Sequence, residues 1–140
     1  HVFLLVIIYC HKLSKNGHFF VASQIRFAMK TTKRHFLHFD IAGFTYWDGC
    51  EVLQELKVGT TLTLVRENDN QFDAYAVAIY YGDYKLGFIP RGENHQISKF
   101  LELGHSDLFE TRINRLSPEE NPENQVGVIV YLKAKTTKVE

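Results

Sequence analysis

The residues of this chain best suited to chemistry are aromatic ones set beside hydrogen-bonding groups. Tyr46 and Trp47 stand together in a loop bounded by glycines (GFTYWDG, 43–49), Phe72 and Asp73 close a polar run (ENDNQ, 67–71), and Phe88 comes just ahead of Pro90 and Arg91. Exposed rings next to such groups are what single-stranded nucleic-acid binding uses, because bases stack on them at about 1–3 kcal/mol each. An aromatic residue more often fills a core. That is the expectation for Phe39 and Phe88, whereas Tyr46 and Trp47, between glycines, are expected to be exposed.

Other chemistries find less support. There are seven histidines, but His35 and His38 are three apart in a predicted strand and should point to opposite faces. His95 and His105 fall on or beside a predicted helix, and His11 and His18 lie in a segment unlike the rest. The chain has no Cys-x-x-Cys, no His-x-x-x-His on a helix and no Asp-rich loop, so no metal site is expected. Cys50 follows Gly49 at a predicted helix start, a place that can lower a thiol pKa; no histidine is placed beside it, and a cysteine buried on the helix is expected. Paired carboxylates (Glu119 with Glu120, Asp69 with Asp73) read as solvated faces of an acidic domain. No Gly-x-x-x-x-Gly-Lys loop is present to cradle phosphates. With no catalytic constellation, metal site or cofactor motif, the chain is expected not to be an enzyme.

These residues need a scaffold, and 140 residues suffice for one compact domain. At 45% hydrophobic and 23% charged, the composition excludes a collagen-like or low-complexity chain. Leu37, Phe39 and Ile41 alternate with Phe36, His38 and Asp40, the period of a strand with one buried face. Residues 50–56 carry Val52, Leu53 and Leu56 at helical spacing, about two turns. Strands are expected at 62–66, 75–81 and 84–89, the last two joined at Gly82-Asp83 by a two-residue hairpin turn. Residues 93–103 read as a helix stopped by Gly104. Two further strands, 108–116 and 126–133, flank a loop rich in Pro and Glu. Five to six short strands with two inserted helices make an α+β fold, mostly β, whose sheet closes into a small barrel.

Charge is unevenly distributed. Residues 1–39 hold six bases and no acid, whereas 40–133 hold 15 acids and eight bases. An acidic body argues against a broad phosphate-tracking surface; Arg91 is the best placed for a phosphate, with Lys85 and Arg66 next. The apolar run 2–10 is shorter than the roughly 20 residues that span a membrane, and it lacks the flanks of a secretory signal. Two cysteines, Cys10 and Cys50, are too few for a disulfide framework, which points to a cytoplasmic setting without membrane association. Met29 is the only methionine and reads as the natural start. On this reading 1–34 is a leader outside the domain, with 1–28 as upstream sequence, 35–133 is the domain, and 134–140 is a C-terminal tail.

The stretches IAGFTYWDG (41–49), LVRENDNQFDAYAVAIY (64–80) and KLGFIPR (85–91) together resemble the HIRAN domain, in order and over residues 37–133. That family's pattern has a Gly-x-x-Tyr loop, an Arg-Asp/Glu-Pro-x-Asn-Pro-Tyr/Phe-Asp-x-Asn-Ala segment, and a Gly flanked by apolar residues ahead of Pro or Lys. The resemblance implies a small SH3- or OB-like β-barrel with two helices, and a module that captures the 3′-hydroxyl end of single-stranded DNA. It implies site roles as well. Tyr46 corresponds to the tyrosine that stacks on the terminal base, with Trp47 beside it, and Phe72 to a second pocket aromatic. Asp73 corresponds to the carboxylate that accepts from the 3′-hydroxyl, Asn70 to a polar pocket residue, and Arg91 to a basic residue near the backbone phosphate. An ionised carboxylate accepts from a hydroxyl and repels a phosphate at the same place. Members occur alone in bacteria and fused to SWI/SNF-type remodellers and nucleases, which implies a DNA-repair setting and a helicase or nuclease partner.

The chain departs from the pattern at four places. Thr45 stands where DNA-binding members can carry Arg, Asn68 and Gln71 replace two loop prolines, and Tyr75 replaces an asparagine. A loop without its prolines is expected to be less pre-organised, and affinity to be lower. Two rival readings stand beside DNA-end capture. One is a protein-interaction or structural barrel whose end pocket has decayed; the other is an accessory to metal-dependent hydrolases or helicases acting on nucleic acid.

Overall fold

Six strands carry the alternation that the sequence announces: β1 (Lys33–Asp40), β2 (Thr61–Arg66), β3 (Val77–Tyr81), β4 (Tyr84–Phe88), β5 (Phe109–Leu116) and β6 (Val126–Lys133). The computed structural model describes residues 32–135. The expectations for the leader, the apolar run 2–10 and a start at Met29 lie outside the described residues, as does most of the C-terminal tail.

All neighbouring strands are antiparallel, in the order β1-β6-β5-β2-β3-β4. Three of the five seams contain a register shift: between His35 and Leu37 in β1, Ile79 and Tyr80 in β3, and Ile113 and Arg115 in β5. An extra residue on one side of a ladder bends the strand and deepens its twist. The sheet therefore curls until its two edges touch. Ala42, just beyond β1, exchanges both backbone hydrogen bonds with Phe88 of β4, each at 2.9 Å. Gly87 permits this approach. Its φ of 146° disfavours any side chain, and a Cβ there would collide with the Ala42 carbonyl oxygen. The small, mostly β fold is as expected, but the sheet does not close by a ladder: its ends meet only at this one isolated bridge.

Apolar side chains from every strand meet inside the curl, among them Phe39, Leu62, Ile79, Leu86, Ile113 and Val128, with Phe44, Val52, Leu56 and Ile97 covering the open ends. The two inserted helices are short. In α1 (Gly49–Val52) the helix is one turn and not the expected two; bonds from Glu55 N–H to Val52 O (2.8 Å) and Leu56 N–H to Leu53 O (3.3 Å) continue it as tighter turns that still deliver Leu56 to the core. Cys50, expected to be buried there, is exposed. The second helix, α2 (His95–Glu102), lays Ile97 on the core. It is joined to β2 by Arg66 Nε donating to Ser98 Oγ at 2.9 Å.

The bulge in β1 overturns one expectation. A regular strand would send His35 and His38 to opposite faces, but the extra residue between His35 and Leu37 brings them to one side. His35 Nε2 and His38 Nδ1 share a hydrogen bond of 3.1 Å. Among the described residues, no group of three or more His, Cys, Asp or Glu could hold a metal ion, and no helix is long and apolar enough to cross a membrane.

Candidate functional site

The polar run 67–76 leads from β2 into β3, and its own side chains fold it. Asn70 Oδ1 accepts from the backbone N–H groups of Phe72 (2.9 Å) and Asp73 (3.0 Å), the turn-forming use of an Asn side chain. Asn70 Nδ2 donates to Glu67 Oε2 at 3.1 Å. Asp73 Oδ1 then accepts from Tyr75 N–H at 2.9 Å, which keeps Tyr75 out of the ladder and explains why β3 begins at Val77 and not at the expected position 75. The Arg66 guanidinium bonds to Asn68 Oδ1 and to the Ala74 carbonyl. Hydrogen bonds thus tie together the segment in which the family pattern's two prolines are missing, and Asn68 takes part.

On the facing side, Gly43 (φ 75°) opens a 3-10 turn at Phe44–Tyr46 that delivers Trp47. The turn is pinned to β4 by Asp48 N–H donating to Lys85 O (2.9 Å) and Lys85 N–H donating to Asp48 Oδ2 (3.1 Å). Behind the indole, the Phe88 ring packs edge-on, with centroids 5.7 Å apart and planes at 69°. The Lys85 ammonium sits 3.8 Å from the indole centroid, a favourable place for a cation on an electron-rich face. That ammonium is also paired with Glu67.

Loop and turn enclose an open cavity of about 380 Å³ lined by Trp47, Glu67, Asn70, Phe72, Asp73, Phe88 and Arg91, with Ala42, Ala76 and Ile89 completing the wall. Phe72 is 85% exposed and Trp47 43% exposed, so both rings are available to a planar ligand. The Asp73 carboxylate is mostly covered. Its Oδ2 accepts from Asn94 Nδ2 at 2.7 Å and lies 3.9 Å from Arg91 Nε. Arg91 also donates to the Phe72 carbonyl while its side chain stays 70% exposed. The arrangement offers stacking surfaces, a carboxylate acceptor and a free-edged guanidinium, and it contains no nucleophile with a base beside it.

Five of the six residues singled out in the sequence (Trp47, Asn70, Phe72, Asp73 and Arg91) line this one cavity. Tyr46 does not. Its ring is 86% exposed and lines a neighbouring hollow of about 340 Å³ with Thr45, Asn121, Pro122 and Glu123. A Cβ at Gly43 would be in ordinary contact with both rings, 3.6 Å from Trp47 Nε1 and 3.8 Å from Tyr46 Cδ2; it is the left-handed φ of 75° that favours glycine at this turn. Phe88, expected in the core, is half-buried and forms part of the cavity wall.

Glu67 and Asn94 went unrecognised in the sequence reading, and Lys85 was named there only as a possible phosphate contact. Lys85 and Glu67 become partners only when β4 folds against the 67–76 loop, and no local spacing signals it. Asn94 had a signal, standing just before a helix where an Asn side chain commonly caps. It makes no side-chain cap, because its amide is turned toward Asp73.

A family model, HIRAN domain, matches residues 35–135. The fold is similar to that of a protein from Lactobacillus plantarum, 22% identical, with a TM-score of 0.61 over 71% of this chain and 94% of that one. It is also similar to the HIRAN domain of human HLTF, 13% identical, with a TM-score of 0.53 over 72% of this chain and 78% of that one. None of the curated proteins matches.

Proposed function

The chain belongs to the HIRAN domain family, a family of binding modules and not of enzymes, and from that premise we propose that it captures single-stranded DNA at a free 3′-hydroxyl end. The observation that carries this reading is the single cavity shared by two exposed rings, Trp47 and Phe72, with the Asp73 carboxylate and Arg91. The terminal base stacks between the rings, each stacked base being worth about 1–3 kcal/mol. Asp73 accepts from the 3′-hydroxyl. Each carboxylate oxygen has two acceptor sites, and the bonds from Tyr75 and Asn94 occupy one on each. Arg91 meets the phosphate on the 5′ side of the terminal nucleotide. Tyr46, across Gly43 from Trp47, takes the next base as the strand leaves the cavity. The working unit of this proposal is residues 35–133, and a helicase or nuclease that exposes 3′ ends is the partner it fits.

Trp47 is the only tryptophan, so its fluorescence reports on the cavity directly. A short linear single strand should quench it saturably, and a circular single strand, which has no end, should not. Equal quenching by both would contradict end capture. No quenching by either would favour the rival of a barrel whose pocket has decayed.

A further inference from the structure

The lysine behind Trp47 carries an inference that rests on the end-capture reading and deepens it. The Lys85 side chain is only 13% exposed and that of Glu67 24% exposed, so the pair is largely withdrawn from water. A carboxylate in that position requires a counter-charge, and removing one partner leaves the other uncompensated. The pair does not stand alone. Glu67 accepts from the Lys85 ammonium with Oε1 and from Asn70 Nδ2 with Oε2. Asn70 in turn accepts from the Phe72 and Asp73 N–H groups. On its other side the same ammonium lies 3.8 Å from the Trp47 centroid and 4.3 Å from that of Phe88.

We infer that Lys85 is a positioning residue that sets both walls of the cavity at once, the loop bearing Phe72 and Asp73 through Glu67 and Asn70, and the Trp47 platform through its contact with the indole. It does not face the ligand, since the cavity is lined by residues it braces and not by Lys85 itself. The relay supplies by charge pairing the order that two prolines would supply covalently. It also cancels the Glu67 charge, leaving Asp73 as the acid that a phosphate at the 3′ position would meet.

In Lys85→Met the unpaired Glu67 carboxylate turns to water and withdraws its bond from Asn70. Amide exchange at Phe72 and Asp73, read by NMR without DNA, should accelerate by about tenfold while the sheet amides keep their rates. Acrylamide quenching of Trp47 should rise, and affinity for a 3′-hydroxyl single strand should fall by about tenfold. The double variant Glu67→Gln/Lys85→Met separates the two branches. Its carboxamide oxygen can still accept from Asn70 without an uncompensated charge, so exchange at Phe72 and Asp73 should return to within about threefold of the starting protein. Trp47 should stay more open to acrylamide.

Unchanged exchange at Phe72 and Asp73 in the single variant would overturn the inference. So would acceleration shared equally by the sheet amides, which would mark a merely structural ion pair. If the unaltered chain binds no 3′ end, the proposed function fails, and the DNA-free exchange and quenching results still decide the relay.

Discussion

At the scale of single residues, Asp73 has two tasks where the sequence suggested one. Its carboxylate is the proposed acceptor for the 3′-hydroxyl, and it also holds the Tyr75 N–H and the amide of the fully buried Asn94. Asn94 Oδ1 has no partner of its own, so Asp73→Ala would leave that amide unpaired at both ends. The expected cost is about 1–3 kcal/mol of stability, read by urea unfolding, together with loss of 3′-hydroxyl preference. Asp73→Asn keeps an acceptor for Tyr75 and should lose the preference with a smaller stability cost. The two aromatic neighbours should separate as well. Trp47 packs on Phe88 and lines the cavity, so Trp47→Leu should weaken oligonucleotide binding by about 1–3 kcal/mol and lower stability too. Tyr46, almost fully exposed, should tolerate Tyr46→Ala with a stability change within about 0.5 kcal/mol and a smaller loss of affinity.

At the scale of elements, strands whose alternation decides their burial were legible. Position 39 faces the core and position 38 does not, as period two requires, and the β3–β4 hairpin turns at Gly82-Asp83 as expected. What escaped was set by contacts distant in sequence. The bulge that brings His35 beside His38 arises from the pairing of β1 with β6, and the late start of β3 comes from Asp73 acting on Tyr75. For the site, residue identity located the cavity, but whether a ring of the 43–49 turn faces it depends on how Gly43 orients the turn, which separated Trp47 from Tyr46. One tie between elements has a pH signature. The Glu110 carboxyl of β5 is held below its ordinary value of 4.5, first by its hydrogen bond from Lys33 of β1, then by that from Arg112. The lowered folded pKa means that its contribution is complete above the unfolded value and is lost as pH falls through the folded one. Glu110→Gln should therefore flatten the acid limb of the stability profile below about pH 4.5 and leave its shape above pH 6 unaltered, about where an ordinary Glu is fully ionised in either state.

At the scale of the whole molecule, charge sets what kind of nucleic-acid contact is available. Residues 40–133 carry 15 acids and eight bases, and all three cations that could have met phosphate already have protein partners, Arg91 with the Phe72 carbonyl and beside Asp73. Lys85 is paired with Glu67, and Arg66 is spread over Ser98, Asn68 and the Ala74 carbonyl. Arg91 alone of the three combines an exposed guanidinium with a place on the cavity. Counterion release for a single strand then gives a slope of log K against log salt of about −0.7 for one contact and about −1.4 for two. A slope of about −4 or steeper would mean backbone tracking over an extended surface, which this distribution of charge does not provide. The most direct test of the central claim is a competition titration of the full chain with two short single strands of one sequence, ending in a 3′-hydroxyl or a 3′-phosphate. The account predicts that the hydroxyl strand binds more tightly by about tenfold or more, because the phosphate would face the Asp73 carboxylate, and that the difference disappears in Asp73→Asn. Equal affinity for the two strands in the unaltered protein would contradict it.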